Sequence, residues 1–162
     1  MRENFKEIPL LQQREIEAKV IAPLLRAFCR EFGKERTLAV AAETLRELSR
    51  ESGRETRKKF GSGLASLKEN CIAKWNEGGA LTSIMKEDNE DCCSFDVKEC
   101  AFANLYKEIG CGDLGTVISC GRDAAFLEGF DETLELVRTK TIMEGGDCCD
   151  FCYRKKVSAK TI

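Results

Sequence analysis

Cysteine and histidine usage sets the chemistry that this sequence can perform. The 162 residues include ten Cys and no His. Histidine is the most frequent general base in enzymes and the most frequent neutral metal ligand, so neither role can be filled in the usual way. Any reactive site must therefore rely on Cys, Asp, Glu, Lys or Tyr.

Three residues in the middle of the chain have suitable types and spacing for acid–base or thiol chemistry. Cys100 is expected in the first turn of a helix that follows a strand, where free backbone N–H groups lower the pKa of a thiol. Packing beneath the sheet is the alternative for this residue. Cys120 and Asp123 are three residues apart on one predicted helix, so the carboxylate could accept a proton from the thiol or from a water. A core Cys beside a solvated Asp is the alternative here.

The segment Cys148–Cys152 contains a C-x-x-C motif, which can form half of a zinc site or a redox pair. The surrounding sequence predicts a strand, and a strand places Cys149 and Cys152 on opposite faces. A complete thiolate site would need sulfurs from elsewhere in the chain. A soft metal, zinc or an iron–sulfur cluster, is therefore the alternative interpretation of these thiols.

Arg138 is a charged residue within a predicted strand, Leu-Val-Arg-Thr-Lys-Thr. A guanidinium in this position needs either a partner or solvent. It could bind the carboxylate of a small acid, or it could lie on the outer face of the sheet.

The first half of the chain, residues 8–77, has the apolar spacing of helices. Ile16, Val20, Leu24 and Phe28 recur every four positions, and a similar pattern continues from Leu38 to Leu48. Pro23 should kink or divide the first helix, and Gly33 should end it. A third helix is predicted from the spacing of Leu64, Leu67, Cys71 and Trp75.

The second half changes to strand-like patterns. Strands are predicted at 81–86 and 92–98, helices at 99–109 and 113–127, and two longer strands at 132–143 and 148–156. Asp113 should cap the second of these helices and Gly129 should follow its end. Alternation in the strands predicts the buried side chains Cys93, Phe95, Val97, Cys149, Phe151 and Tyr153. It predicts that Cys148, Asp150 and Cys152 are either exposed or turned to a second layer.

Helices followed by strands indicate an α+β fold. We predict one domain over 1–162, in which a helical part (1–79) packs on a small antiparallel sheet of about four strands (80–156), with two short helices inserted between strands. No phosphate-binding glycine motif is present, so a nucleotide cofactor is not expected.

Charge and hydropathy narrow the class of partner. The formal net charge is -2, which does not favour nucleic acid. Residues 1–7 are charged without the apolar stretch of a signal peptide, and no segment has transmembrane length. We therefore expect a cytoplasmic protein with reduced thiols that does not bind nucleic acid or membranes.

The second half also resembles a known family. Its motifs are F-x-V-x-x-C at Phe95–Cys100, C-x-x-D at Cys120–Asp123, R-T-x-T at Arg138–Thr141 and C-D-F at Cys149–Phe151. Together they are similar to the L-2-amino-thiazoline-4-carboxylic acid hydrolase family over roughly residues 80–156. In place of the His that the family pattern has before C-D-F, this chain has Cys148.

The resemblance implies hydrolysis of a small cyclic thiazoline amino acid, such as 2-amino-thiazoline-4-carboxylate, to a carbamoyl-cysteine. Such a reaction needs a base, an acid and a cation for the substrate carboxylate. The residues implied as catalytic are Cys100, Cys120, Asp123, Cys149 and Asp150, and those implied as substrate-binding are Arg138, Tyr106 and Thr139. A homodimer is a further expectation. The alternative is a non-enzymatic, thiol-rich domain that binds a soft metal or a small ligand.

Overall fold

Two long helices form the N-terminal half of the computed structural model, which describes residues 8–156; the charged segment 1–7 lies outside the described residues. Helix α1 (Leu10–Phe32) and helix α2 (Lys34–Phe60) pack against each other and are joined at Gly33. Gly33 has a φ of 89°, which glycine adopts without strain, so the predicted helix end is confirmed. Pro23 lies on an exposed side of α1 and does not divide it.

The third predicted helix is present but is not regular. Helix α3 (Leu64–Leu67) continues through a π turn (Lys68–Ile72) into helix α4 (Ala73–Trp75). Leu64, Leu67 and Cys71 are buried along it, as the spacing predicts. None of the helices within residues 8–156 combines the length and apolar character needed to cross a membrane.

One antiparallel sheet forms the C-terminal half and confirms the α+β class. Its strands are β1 (Leu81–Asp88), β2 (Cys92–Cys100), β3 (Leu134–Val137) and β4 (Cys149–Lys155), in the order β1-β2-β4-β3. Phe95 pairs with Phe151 across β2 and β4. The face that carries this pair packs against the helices and includes the predicted buried residues Cys93, Val97 and Tyr153.

The prediction of a long strand over 132–143 is wrong. The strand ends at Val137. Beyond it, backbone N–H groups bind the Asp150 carboxylate instead of the backbone of a neighbouring strand. Asp150 Oδ1 accepts hydrogen bonds from the backbone N–H groups of Thr139 and Lys140, each at 2.9 Å. Cys148, which alternation predicts as exposed or turned to a second layer, precedes β4 and is fully buried, so the exposed alternative is wrong.

The segment between β2 and β3 is helical, but it is less regular than the two predicted helices. Helix α5 (Ala101–Glu108) is followed by a 3₁₀ turn (Gly112–Leu114), a π turn (Thr116–Cys120) and helix α6 (Arg122–Phe130). Asp113 does not cap a helix; its carboxylate pairs with Arg26 at 2.8 Å.

Glycines allow α2 and α6 to pack closely. A Cβ on Gly129 would lie 1.9 Å from the backbone oxygen of Arg50, and one on Gly53 would lie 2.2 Å from that of Phe126. Gly129 thus lies inside α6 and serves this contact, so the prediction that it follows the end of the helix is wrong.

Candidate active site

A cavity of about 120 Å³ lies between the sheet and helix α6. We call it the inner cavity. Five of the residues singled out in the sequence line it: Cys100, Cys120, Asp123, Arg138 and Cys149. These residues are spread over 50 positions of the chain, and the fold brings them to one small space.

Local structure fixes the three cavity thiols. Cys100 ends β2 and caps α5, where its Sγ accepts the backbone N–H of Ala103 at 3.5 Å. Cys149 begins β4 and its Sγ accepts the backbone N–H of Ile142 at 3.2 Å. Cys120 is the last residue of the π turn before α6. Each thiol therefore comes from a different element.

Asp123 and Arg138 form an ion pair at the wall of the inner cavity. Arg138 Nη1 lies 2.5 Å from Asp123 Oδ2, and Arg138 Nη2 donates to the backbone oxygen of Cys120 at 3.0 Å. The guanidinium also lies over the ring of Phe151, 4.9 Å from its centre. Arg138 is thus held by protein groups, while 31% of the Asp123 side chain remains accessible to solvent.

The enclosed position changes the acid–base properties of these groups. Burial raises the pKa of Asp123, and the charge and hydrogen bonds of Arg138 oppose that rise. Burial, with the nearby Asp123 charge, raises the pKa of Cys120 to about 12. The pKa values of Cys100 and Cys149 are raised by burial as well, although backbone N–H groups act in the opposite direction. The lowered pKa expected for Cys100 is therefore wrong, and the cavity thiols are protonated at neutral pH.

Three other predicted site residues lie outside the inner cavity. Asp150 is on the opposite face of β4 and holds Thr139, whose hydroxyl donates to it at 2.5 Å. Tyr106 lies in the helical core, where burial raises its pKa and a hydrogen bond with Ser119 opposes that rise. Ser119 itself lines the cavity, so Tyr106 lies one residue behind the wall. Their predicted roles stay predictions.

Two arginines that no sequence motif indicates also line the inner cavity. Arg14 on α1 and Arg122 on α6 line both the inner cavity and a larger cleft of about 680 Å³, which we call the outer cleft. The aromatic side chains of Trp75 and Phe126 line both spaces too. The only sequence signal for a role of Arg122 in the site is its position directly before Asp123. Arg14 gives no such signal, because polar residues occur throughout amphipathic helices.

The C-x-x-C motif does not converge on one point. Cys149 lines the inner cavity, whereas Cys152 lies on the other sheet face with its sulfur 3.8 Å from that of Cys92. Across residues 8–156, no group of three or more Cys, Asp or Glu side chains is arranged to hold a metal ion. The soft-metal alternative thus has no ligand set in this part of the chain.

Comparisons with known proteins agree with the motifs. Residues 13–153 match the model of a family described as L-2-amino-thiazoline-4-carboxylic acid hydrolase. No curated protein matches the chain.

Two solved structures are similar at low sequence identity. One is the trafficking protein particle complex subunit 3 from Naegleria fowleri covalently bound to palmitic acid, with 13% identity, a TM-score of 0.51 and coverage of 90% of this chain and 96% of that one. The other is the phenol-responsive sensory domain of the transcription activator PoxR with phenol, with 8% identity, a TM-score of 0.48 and coverage of 93% and 77%. The first likeness shows a shared fold.

Proposed function

Because the chain belongs to the L-2-amino-thiazoline-4-carboxylic acid hydrolase family, we propose that it hydrolyses a small cyclic thiazoline-type amino acid, such as 2-amino-thiazoline-4-carboxylate, to a carbamoyl-cysteine. The observation that carries this proposal is the inner cavity, in which the Asp123 carboxylate and three thiols line one small space. Its volume is well below the roughly 300–1,000 Å³ of pockets for drug-sized ligands, which suits a small ring. All ten thiols are unpaired, so we further propose a reducing compartment such as the cytoplasm.

The first chemical step is addition of water to the ring carbon between nitrogen and sulfur. We assign Asp123 as the base that removes the proton from this water, since its carboxylate lines the cavity and keeps contact with solvent. Arg138 orients the carboxylate through their ion pair and favours its charged form.

The proton taken from the water passes to the nitrogen of the opened C=N bond, which gives a neutral tetrahedral adduct. In the second step Asp123 takes the proton of the added hydroxyl as the carbonyl forms, and one bond from the ring carbon to a ring heteroatom breaks. The proton on Asp123 then returns to the group that protonated the departing atom. The departing atom needs a proton, and a protonated thiol can supply one. We assign Cys100 to this role, because the N–H of Ala103 stabilises the thiolate that remains after proton transfer. Cys120 and Cys149 complete the wall beside it.

Substitution of Asp123 by Asn tests this mechanism. We expect the Asp123→Asn variant to lose roughly 10²–10⁴-fold in kcat on 2-amino-thiazoline-4-carboxylate, because the amide cannot accept the proton. Product formation is measured by mass spectrometry. The matched control is Asp113→Asn, which removes an exposed carboxylate that does not line the cavity and should leave kcat unchanged.

Two results would contradict the proposal in different ways. Full activity of the folded Asp123→Asn variant would show that another group is the base. Absence of turnover by the wild-type protein, across a panel of cyclic thio-amidines, would show that the protein is not this hydrolase.

A further inference from the structure

Arg14 and Arg122 form a positively charged pair where the inner cavity adjoins the outer cleft. Their side chains are only 19% and 16% exposed, which is unusual for arginine. They come from different helices, α1 and α6, and both line the two spaces. Tertiary packing therefore holds two cations at the entrance to the reactive groups.

The charges at this entrance do not balance. Arg14 Nη1 and Arg122 Nη2 contact the same oxygen of Glu17, at 2.7 and 3.1 Å. The Asp123 charge also acts on both arginines, but its carboxylate is bound to Arg138, so three guanidinium groups share two carboxylates here. In addition, Arg122 Nε is buried and has no hydrogen-bond partner within residues 8–156. A buried donor without an acceptor carries a desolvation cost that a bound anion would remove.

The electrostatic environment of Arg122 agrees with this imbalance. Burial and the nearby positive charge of Arg14 lower the pKa of Arg122, and Glu17 opposes them only in part. Arg138 is different, because its guanidinium is matched by the Asp123 carboxylate and by the backbone oxygen of Cys120. Of these cations, the Arg14–Arg122 pair has free capacity for an anion.

We propose that Arg14 and Arg122 bind the carboxylate of the substrate, and that the protein therefore selects small cyclic acids over their neutral analogues. This inference rests on the proposed function and identifies how its substrate is anchored. Planar guanidinium groups bind carboxylates through paired hydrogen bonds. Because Arg122 and Asp123 both line the inner cavity, an acid held by Arg122 would place its ring close to the base. The assignment replaces Arg138, which the sequence suggested as the carboxylate-binding residue.

Binding of an unreactive acid tests the inference without any need for turnover. The probe is thiazolidine-4-carboxylate, a saturated ring that lacks the C=N bond to which water adds, and its neutral counterpart is thiazolidine-4-carboxamide. Titration calorimetry of the full chain gives Kd for both. We expect Arg122→Gln and Arg14→Gln each to weaken acid binding by roughly tenfold or more and to leave amide binding within about twofold. Glu17→Gln should tighten acid binding, since it removes the competing carboxylate.

The outcomes separate this inference from the proposed hydrolysis. Acid binding that depends on Arg14 and Arg122, in a wild-type protein without turnover, would support the anion site and count against the hydrolase. Equal binding of acid and amide by the wild type, or no acid binding, would overturn the anion site. The anion site would also be overturned if Arg138→Gln abolished the preference for the acid and Arg122→Gln did not. Melting curves confirm that each variant is folded before it is titrated.

Discussion

Two buried tyrosines illustrate how single polar groups affect this fold. Tyr153 is fully buried among the rings of Trp75, Phe95 and Phe151, and its hydroxyl has no hydrogen-bond partner in the described part of the chain. Tyr106 is equally buried, but its hydroxyl interacts with Ser119. The two hydroxyls therefore contribute to stability with opposite signs.

We expect Tyr153→Phe to stabilise the protein and Tyr106→Phe to destabilise it. An unpaired buried hydroxyl costs about 1–3 kcal/mol, which Tyr153→Phe recovers, whereas Tyr106→Phe leaves Ser119 without its partner. Thermal unfolding followed by circular dichroism measures both, at about 2–4 °C per kcal/mol for a chain of this size. A lower melting temperature for Tyr153→Phe would show that its hydroxyl is satisfied in solution.

At the residue level, the sequence identified the members of the inner cavity better than their properties. Cys100, Cys120, Asp123 and Cys149 were selected by type and motif, and all four line one space. The shift in the pKa of the Cys100 thiol was predicted with the wrong sign, because the helix N-terminus is a local feature while burial depends on the whole fold.

At the level of elements, the contact between α2 and α6 depends on Gly53 and Gly129. The two helices approach so closely that a methyl group on either glycine would overlap the backbone of the other helix. Because α6 also carries Arg122 and Asp123, this contact sets the position of the candidate base relative to the sheet.

We expect Gly129→Ala to destabilise the protein by about 1–3 kcal/mol, the usual range for overpacking a filled interior. Gly112→Ala is the matched control, since its nearest neighbour, a side-chain carbon of Lys107, would lie at an ordinary 3.5 Å. Urea unfolding curves give both values. Equal stability of the two variants would show that α2 and α6 separate easily.

Regular elements were predictable and irregular ones were not. The hairpin of β1 and β2 and the inward side chains of β2 followed from alternation, which depends on neighbouring residues. The early end of β3 could not be predicted, since it results from the side chain of Asp150 on another strand. A helix is predicted over 113–127, but its first part consists of a 3₁₀ turn and a π turn. The spacing of apolar residues does not distinguish these turns from an α-helix.

For the whole molecule, the most prominent surface feature is an apolar ridge on α1. Ile16, Val20, Leu24 and Phe28, the residues that predicted the helix, are between 48% and 58% exposed. The face of α1 that is buried instead carries Ala18, Ala22 and Leu25. Periodicity thus predicted the helix correctly without showing which side faces the core.

We propose that a second copy of the chain covers this ridge. An apolar groove of about 570 Å³ lies between α1 and α2, and Phe28 belongs to both the groove and the ridge. The same apolar patch therefore contains a ridge and a groove side by side. Such a patch can pair with itself around a twofold axis. Exposed apolar surface of this kind commonly marks an interface.

Sedimentation equilibrium tests the proposed dimer. The wild-type chain should sediment as a dimer at micromolar concentration, and Leu24→Glu should sediment as a monomer because it places a charge in the interface. Ile84→Glu is the matched control, since Ile84 is an equally exposed apolar residue on β1 and its substitution should leave the dimer intact. A wild-type monomer would contradict the proposal.

The interaction of Asp150 with Thr139 and Lys140 has a consequence for how molecules of this protein meet. It limits β3, an edge strand, to four residues and occupies backbone donors that would otherwise be open beyond it. A short edge strand presents few unpaired backbone N–H and C=O groups with which a strand of another molecule could pair, and this protects against fibrous aggregation. Growth of the sheet from the β3 side is therefore discouraged.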